Sequence, residues 1–590
     1  MCGIFGYVGS RSDAGQLVVK GLKNLEYRGY DSWGVACKVG DTALVEKDIG
    51  KISGVNESEF AHDCSMAISH TRWATHGGVT PTNAHPHLNA AGTIAVVHNG
   101  IIENYQALRD DLKTKGYAFK SETDTEVIPY MIEEEMKSTD DFASAVRSAC
   151  AKFDGRYGVL AFHTESNTLV ATRTGSPLIV GVGEDGYFIA SDIPAFMEHT
   201  KTVQYLDDGE MLVTDGKSIL FTDLETGEEH PKREIEITWS VEQAQKGEYA
   251  HFMLKEIMEQ KDTIARAVNQ DEQQIQVIAD AIKNAQGTFL VGCGTAHKVC
   301  MAAEYFFSVV AEHHVNVTAA GEFKMHHHFL KPESLLIVVS QSGETADSLE
   351  AMKVAKSKGA KVLAIVNVEG STIDREADYS LLINAGPERA VASTKATTGQ
   401  MAILLMIAHA MQDKIHEGKT LLLETAAKIN DMLNPRYVEF LEDLAEKIQS
   451  HEDLFIIGKS WNYPMALESA IKIQEVSYIH AEGFAGSELK HGPLALIEEG
   501  TPCIALMGND EVTPDIISNV IEIKSRGAMT IGVAPQNNEA FEEWIKVPDA
   551  GAAQALVNVI PIQVLSYFLA VKRGMDPDMP RNLAKSVTVK

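Results

Sequence analysis

The chain has 590 residues, 45% of them apolar, and a formal net charge of −30 at pH 7. That length calls for three or four domains. With no long basic block to relieve it, the acidity argues against nucleic acid and anionic membrane as partners. The seven cysteines (Cys2, Cys37, Cys64, Cys150, Cys293, Cys300 and Cys503) are odd in number and lack paired metal spacing, which suits a reducing cytoplasm.

The chain begins Met1-Cys2-Gly3-Ile4-Phe5-Gly6. A cysteine in second place is small enough for the initiator methionine to be removed. One residue then holds a thiol and a free α-amine, which titrate near ~8.5 and ~7.7–8.0 in model compounds. Such a residue carries both a nucleophile and its own base. The alternative is a small hydrophobe that starts a strand. Further along, helices are expected near 13–25 and 126–135. Short β-branched or aromatic runs at 35–39, 93–97, 158–163, 169–173, 178–182, 186–191 and 210–214 predict strands, so the first 238 residues read as strand-rich.

Five motifs lie in this part: Leu25-Glu26-Tyr27-Arg28-Gly29-Tyr30-Asp31-Ser32, Ser69-His70-Thr71-Arg72-Trp73-Ala74-Thr75-His76-Gly77, Asn83-Ala84-His85-Pro86-His87, Val96-Val97-His98-Asn99-Gly100 and Ser121-Glu122-Thr123-Asp124. In this order they resemble the amino-terminal-nucleophile glutamine amidotransferase domain, an αββα sandwich. The resemblance makes Cys2 the nucleophile. Asn99 and Gly100 become donors to the oxyanion, each donor typically worth ~10²–10³ in rate. Arg72 offers a planar fork for the α-carboxylate of glutamine, and Asp124 a partner for its α-ammonium. Trp73, Thr75, His76 and His85 complete the implied glutamine site, with Trp73 as a gate for ammonia. Taken alone, Arg72 and Asp124 read as surface ions and Asn99-Gly100 as a hairpin turn.

A hinge is expected at 239–247, and beyond it helices alternate with strands. Two apolar stretches, 401–410 and 555–571, are too short or too interrupted to span a bilayer and read as buried helices. Phe289-Leu290-Val291-Gly292 is echoed by Phe455-Ile456-Ile457-Gly458, and Lys356-Ser357-Lys358-Gly359-Ala360 by Lys524-Ser525-Arg526-Gly527-Ala528. The repeated order implies two doubly wound parallel α/β subdomains, at 275–425 and 445–580. In the first copy Ser340-Gln341-Ser342-Gly343-Glu344-Thr345 leads from a strand into a helix, a natural anion site; the alternative is a plain N-cap cluster. The matching loop of the second copy carries Asp510 and Glu511, which repel phosphate, so one phosphate site is expected per pair. The histidines at 326–328 lack ligand spacing, and neither metal nor cofactor is expected.

Glu468, Lys472 and Glu475 stand at i, i+4 and i+7 and share one helix face, either as a solvated salt-bridge stripe or as an acid–base group. This half resembles tandem sugar-phosphate isomerase (SIS) domains. The whole chain resembles the glutamine–fructose-6-phosphate amidotransferase family, the glucosamine-6-phosphate synthases, which act at the start of amino-sugar synthesis. The resemblance implies Glu475 as the proton shuttle, Lys472 as its acid–base support, His491 for ring opening across a homodimer, and Lys585 as the Schiff-base lysine in a tail, 581–590, over the sugar. It places Thr295, Ser340, Gln341, Ser342, Thr345, Val391, Ser393 and Ala584 around the sugar phosphate. Ala296 stands where the family often has Ser, and the 321–326 segment is less basic than usual. An amidotransferase or isomerase for another sugar phosphate, or a non-enzymatic sugar-phosphate sensor, remains open from sequence.

Overall fold

The structure is a computed structural model that describes residues 2–237 and 245–588. Most of the expected hinge, 239–247, lies outside the described residues. The chain forms two compact units, Met1–Ala244 with Ala584–Lys590, and Gln245–Leu583.

The first unit holds an eight-stranded and a six-stranded sheet. Strand alternation explains their stacking. On Gly3–Gly9, Ile4 and Val8 face a core shared with Ala95, Val97, Leu160 and Phe162 of the other sheet. Phe5 and Tyr7 face the opposite way, toward Leu17, Val18 and Leu22 of the helix Ala14–Lys23. On Ile94–Ile102 the same period sends Ile94 and Val96 toward the helices Val127–Met136 and Phe142–Cys150. Two sheets back to back with helices outside make the expected αββα sandwich. Asn99 and Gly100 lie inside the strand Ile94–Ile102, opposite Gly158 and Tyr157, and not at a hairpin turn.

The second unit holds two five-stranded parallel sheets of identical order. In the first, Thr288–Gly292 lies between Asn316–Ala319 and Leu335–Ser340. In the second, Asp453–Gly458 lies between His480–Ala485 and Pro502–Leu506. Leu335–Ser340 is buried at every position, as a parallel strand covered on both faces must be. One apolar core runs through both subdomains and takes in the helices Lys395–Ala410, Asn462–Ser477 and Gln554–Lys572. The expectation that 555–571 is too short or interrupted to span a bilayer needs correction. The segment Gly551–Lys572 is long and apolar enough, but 94% of its most apolar window is buried inside the protein.

Candidate active sites

Cys2 precedes the strand Gly3–Gly9, whose Gly3 pairs with Thr71. That register carries the thiol to the end of Met66–Arg72, where the Trp73 N–H donates to Sγ at 3.2 Å. Asn99 Nδ2 and Arg28 Nε both donate to the Cys2 carbonyl, at 3.0 and 3.2 Å. Burial raises the Cys2 thiol above its ordinary range, while the Trp73 N–H and the Arg72 and Arg28 charges pull it back down. Gly100 has φ +109°, and a Cβ there would fall 2.0 Å from Arg156 O, so only glycine keeps this backbone beside Asn99.

Arg72 is 3% exposed, which excludes a solvated surface ion. Its guanidinium donates to the carbonyls of His76, Gly77 and Gly78. Thr75 and His76 occupy this same loop, with the His76 ring edge-on to Tyr105 at 5.6 Å. Asp124 is buried, accepts from the Ile102 N–H at 2.9 Å and lies within the electrostatic reach of Arg72. His85 is buried and stacks on His70 at 4.1 Å between ring centroids. Arg28 was not singled out from sequence, although it lies within the Tyr27-Arg28-Gly29 motif. Its 6% exposure and its ion pair with Asp192 at 3.2 Å reveal a built-in cation beside Cys2.

In the second unit the chain passes from Thr288–Gly292 to Asn316–Ala319 on one side and then crosses back to Leu335–Ser340 on the other. The carboxyl ends of these neighbouring strands are a topological switch point, where open α/β sheets bind ligands. Thr295 starts a helix at one end, and residues 340–345 leave the other. Ser340 Oγ accepts from the Gly343 N–H at 3.0 Å and faces Thr345 Oγ1 at 3.4 Å; Ser342 Oγ accepts from the Glu344 N–H. Gly343 has φ +66°, and a Cβ there would meet Ser371 Oγ at 1.9 Å. Gln341 follows Ser340 in this loop and is half-buried. No side-chain oxygen caps the helix Ala346–Ser357 at Thr345.

The carboxylate–lysine row sits on Asn462–Ser477. It is not a solvated stripe: the Glu468 and Lys472 side chains are fully buried and only Glu475 is partly open. Lys472 Nζ lies 2.7 Å from Glu475 and 3.4 Å from Glu468, and Thr295 Oγ1 donates to Glu468 at 3.1 Å. Burial pushes Glu468 up to about 7, with Lys472 opposing. Burial acts to lower Lys472, but the carboxylates Glu468 and Glu475 outweigh it and leave the amine above its ordinary value. Glu388 accepts from Ser393 Oγ and from the Thr394 and Ala396 N–H groups, bringing Ser393 to the start of Lys395–Ala410. The Val391 N–H donates to Asp578 O. His491 is exposed at the end of the 3-10 helix Gly486–His491. Ala584 and Lys585 belong to the tail that groups with the first unit, where Arg156 Nε donates to Thr588 O at 3.3 Å. The 326–328 histidines lie on the 3-10 helix Ala320–Phe329, and among the described residues no group of three or more His, Cys, Asp or Glu side chains is arranged to hold a metal ion.

Comparison with known proteins finds both kinds of domain in this chain. A glutamine amidotransferase domain model matches residues 70–198, and an SIS domain model matches residues 281–410 and 447–573. The chain is 42% identical to a glutamine–fructose-6-phosphate aminotransferase (isomerizing) of Thermococcus kodakarensis and 42% identical to one of Clostridium tetani. Each alignment covers 100% of both proteins. Among solved structures, the C-terminal domain of a glucosamine-fructose-6-phosphate aminotransferase from Francisella tularensis matches 57% of this chain and 99% of its own, at 30% identity and TM-score 0.53. With a glutaminase-type unit followed by tandem SIS repeats and full-length relatives above 40% identity, this chain belongs to the glutamine–fructose-6-phosphate aminotransferase (isomerizing) family.

Proposed function

We propose that this protein makes glucosamine-6-phosphate from fructose-6-phosphate and glutamine, releasing glutamate. One observation carries the reading. A single chain holds a thiol beside a built-in amide and guanidinium, and also a buried lysine between two glutamates, one of which is bonded to Thr295 at the switch point.

Cys2 sulfur attacks the side-chain carbonyl of glutamine. Asn99 and the Gly100 backbone donate to the oxyanion, while Arg72 and Asp124 hold the amino-acid end. Collapse expels ammonia, and water releases glutamate from the thioester. At the sugar site, Thr295 and the 340–345 loop hold the phosphate, with Val391, Ser393 and Ala584 around the sugar. The Lys585 amine condenses with the C2 ketone, losing water, and ammonia then displaces the lysine. Glu475 moves the proton from C1 to C2, and Lys472 holds that carboxylate in place. The protein works as a cytoplasmic homodimer in which a second copy supplies His491 to open the ring.

Product formation from fructose-6-phosphate tests this by mass spectrometry, with glutamine or an ammonium salt as donor, on the parent and on Cys2→Ala. The expected result is amino sugar from both donors in the parent and from ammonium alone in the variant. Glutamate without amino sugar would remove the acceptor assignment.

A further inference from the structure

Four histidines, His70, His85, His87 and His98, are buried together behind Asn99. The glutaminase chemistry proposed above leaves the role of His70 open. Its Nε2 lies 3.0 Å from the His98 carbonyl and 3.1 Å from Asn99 Oδ1. A carbonyl only accepts, so Nε2 must carry the proton. The Asn99 atom that faces it must then be oxygen, because an amide nitrogen would set donor against donor. The remaining Asn99 atom is Nδ2, which points at the Cys2 carbonyl from 3.0 Å.

The ring is held for this task. His70 is fully buried, stacks on His85 with an interplanar angle of 25°, and has no partner for Nδ1 among the described residues. Burial, together with the neighbouring His98 and Arg72 charges, lowers it to about 3. A neutral imidazole carries one proton, and the two acceptors place it on Nε2. The same ring therefore cannot serve as an acid or base at neutral pH.

We propose that His70 is a positioning residue: its Nε2–H locks the Asn99 side-chain amide in the one flip that presents its NH2 group to the nucleophile. The inference rests on the glutaminase reading and names how its oxyanion donor is aimed. Without the lock, Asn99 can turn its oxygen toward the developing oxyanion, where it repels instead of donating.

The test compares His70→Phe, His70→Gln and Asn99→Leu in the full chain. His70→Phe keeps the stacking surface but offers no donor, and His70→Gln places an amide N–H near the Nε2 position. Glutamine hydrolysis in His70→Phe is expected to lose ~10–100-fold in kcat, short of the ~10²–10³-fold typical of a deleted oxyanion donor, with KM little changed. His70→Gln restores most of that loss. The affinity of a glutamine-like aldehyde, which forms a tetrahedral thiohemiacetal, falls in parallel with kcat. Alkylation of Cys2 by iodoacetamide forms no oxyanion and stays at the parental rate.

Equal loss in His70→Phe and His70→Gln, with slowed iodoacetamide reaction, would mean a structural role and overturn the proposal. Parental hydrolysis in His70→Phe while Asn99→Leu is inactive would overturn it too. Parental hydrolysis in Asn99→Leu would instead remove the oxyanion role of Asn99 itself. If His70→Phe does not fold, the rescue in His70→Gln and its aldehyde affinity decide the matter.

Discussion

Replacing Lys472 by Met removes the amine from a row in which Glu468 is wholly buried and Glu475 partly so. Breaking a buried ion pair from one side typically costs ~3–5 kcal/mol. The cost here should depend on pH, with a sign set by Glu468. Its carboxyl is raised to about 7 mainly by burial, and Lys472 is the main group pulling it down. An acid whose folded pKa lies above its unfolded value of ~4.3 keeps its proton in the fold after the unfolded chain has lost it. Stability therefore falls by ~1.4 kcal/mol per pH unit until the folded pKa is passed, and then levels. In the parent the fall from pH 6 to pH 8 is ~1.4 kcal/mol, because levelling begins near 7. Without Lys472 the folded pKa moves higher, and the full ~2.7 kcal/mol is lost over the same interval. The gap between Lys472→Met and parent should thus widen by ~1.3 kcal/mol from pH 6 to pH 8. Native-state hydrogen exchange of the helix Asn462–Ser477, corrected for intrinsic rates, reads this opening energy directly. Adding Glu468→Gln should remove the extra slope. A gap that is the same at both pH values, or a double variant that keeps the slope, would refute the account of Glu468 as the buried proton holder.

Three further outcomes are expected. Arg72→Lys replaces a fork that meets three backbone carbonyls with a point charge; the KM for glutamine should rise ~10-fold or more, measured by glutamate release. Gly343→Ala sets a methyl 1.9 Å from Ser371 Oγ at a φ of +66°. The sugar-phosphate loop should shift, and fructose-6-phosphate should bind at least ~10-fold more weakly by calorimetry while glutamine hydrolysis persists. Trp73→Ala keeps the backbone N–H that reaches Cys2. Glutamine hydrolysis should survive while amino sugar formed per glutamate falls, and unchanged coupling would end the gate idea.

The two folds were legible because their signals are local. The β-branched and aromatic runs at 93–97, 158–163 and 169–173 already mark strands of the six-stranded sheet. The echo of Phe289 to Gly292 in Phe455 to Gly458 already implies two equal sheets. What the sequence could not carry was the environment of polar groups. Asn99-Gly100 looks like a turn until the pairing with Gly158 and Tyr157 shows it inside a strand. Glu468, Lys472 and Glu475 have the spacing of a solvent stripe, and only packing against the helices Thr295–Val309 and Gln554–Lys572 in one core makes that face interior. Arg28 and His70 act through partners 26 and 29 positions away in the chain, Cys2 and Asn99, and no periodicity links such residues. The difference is physical. Apolar pattern is set by each residue's own hydration, whereas the task of a buried histidine or lysine is set by which acceptors the fold brings against it. A histidine that meets two oxygens on one nitrogen becomes a fixed donor, and a lysine closed between two carboxylates becomes a permanent cation.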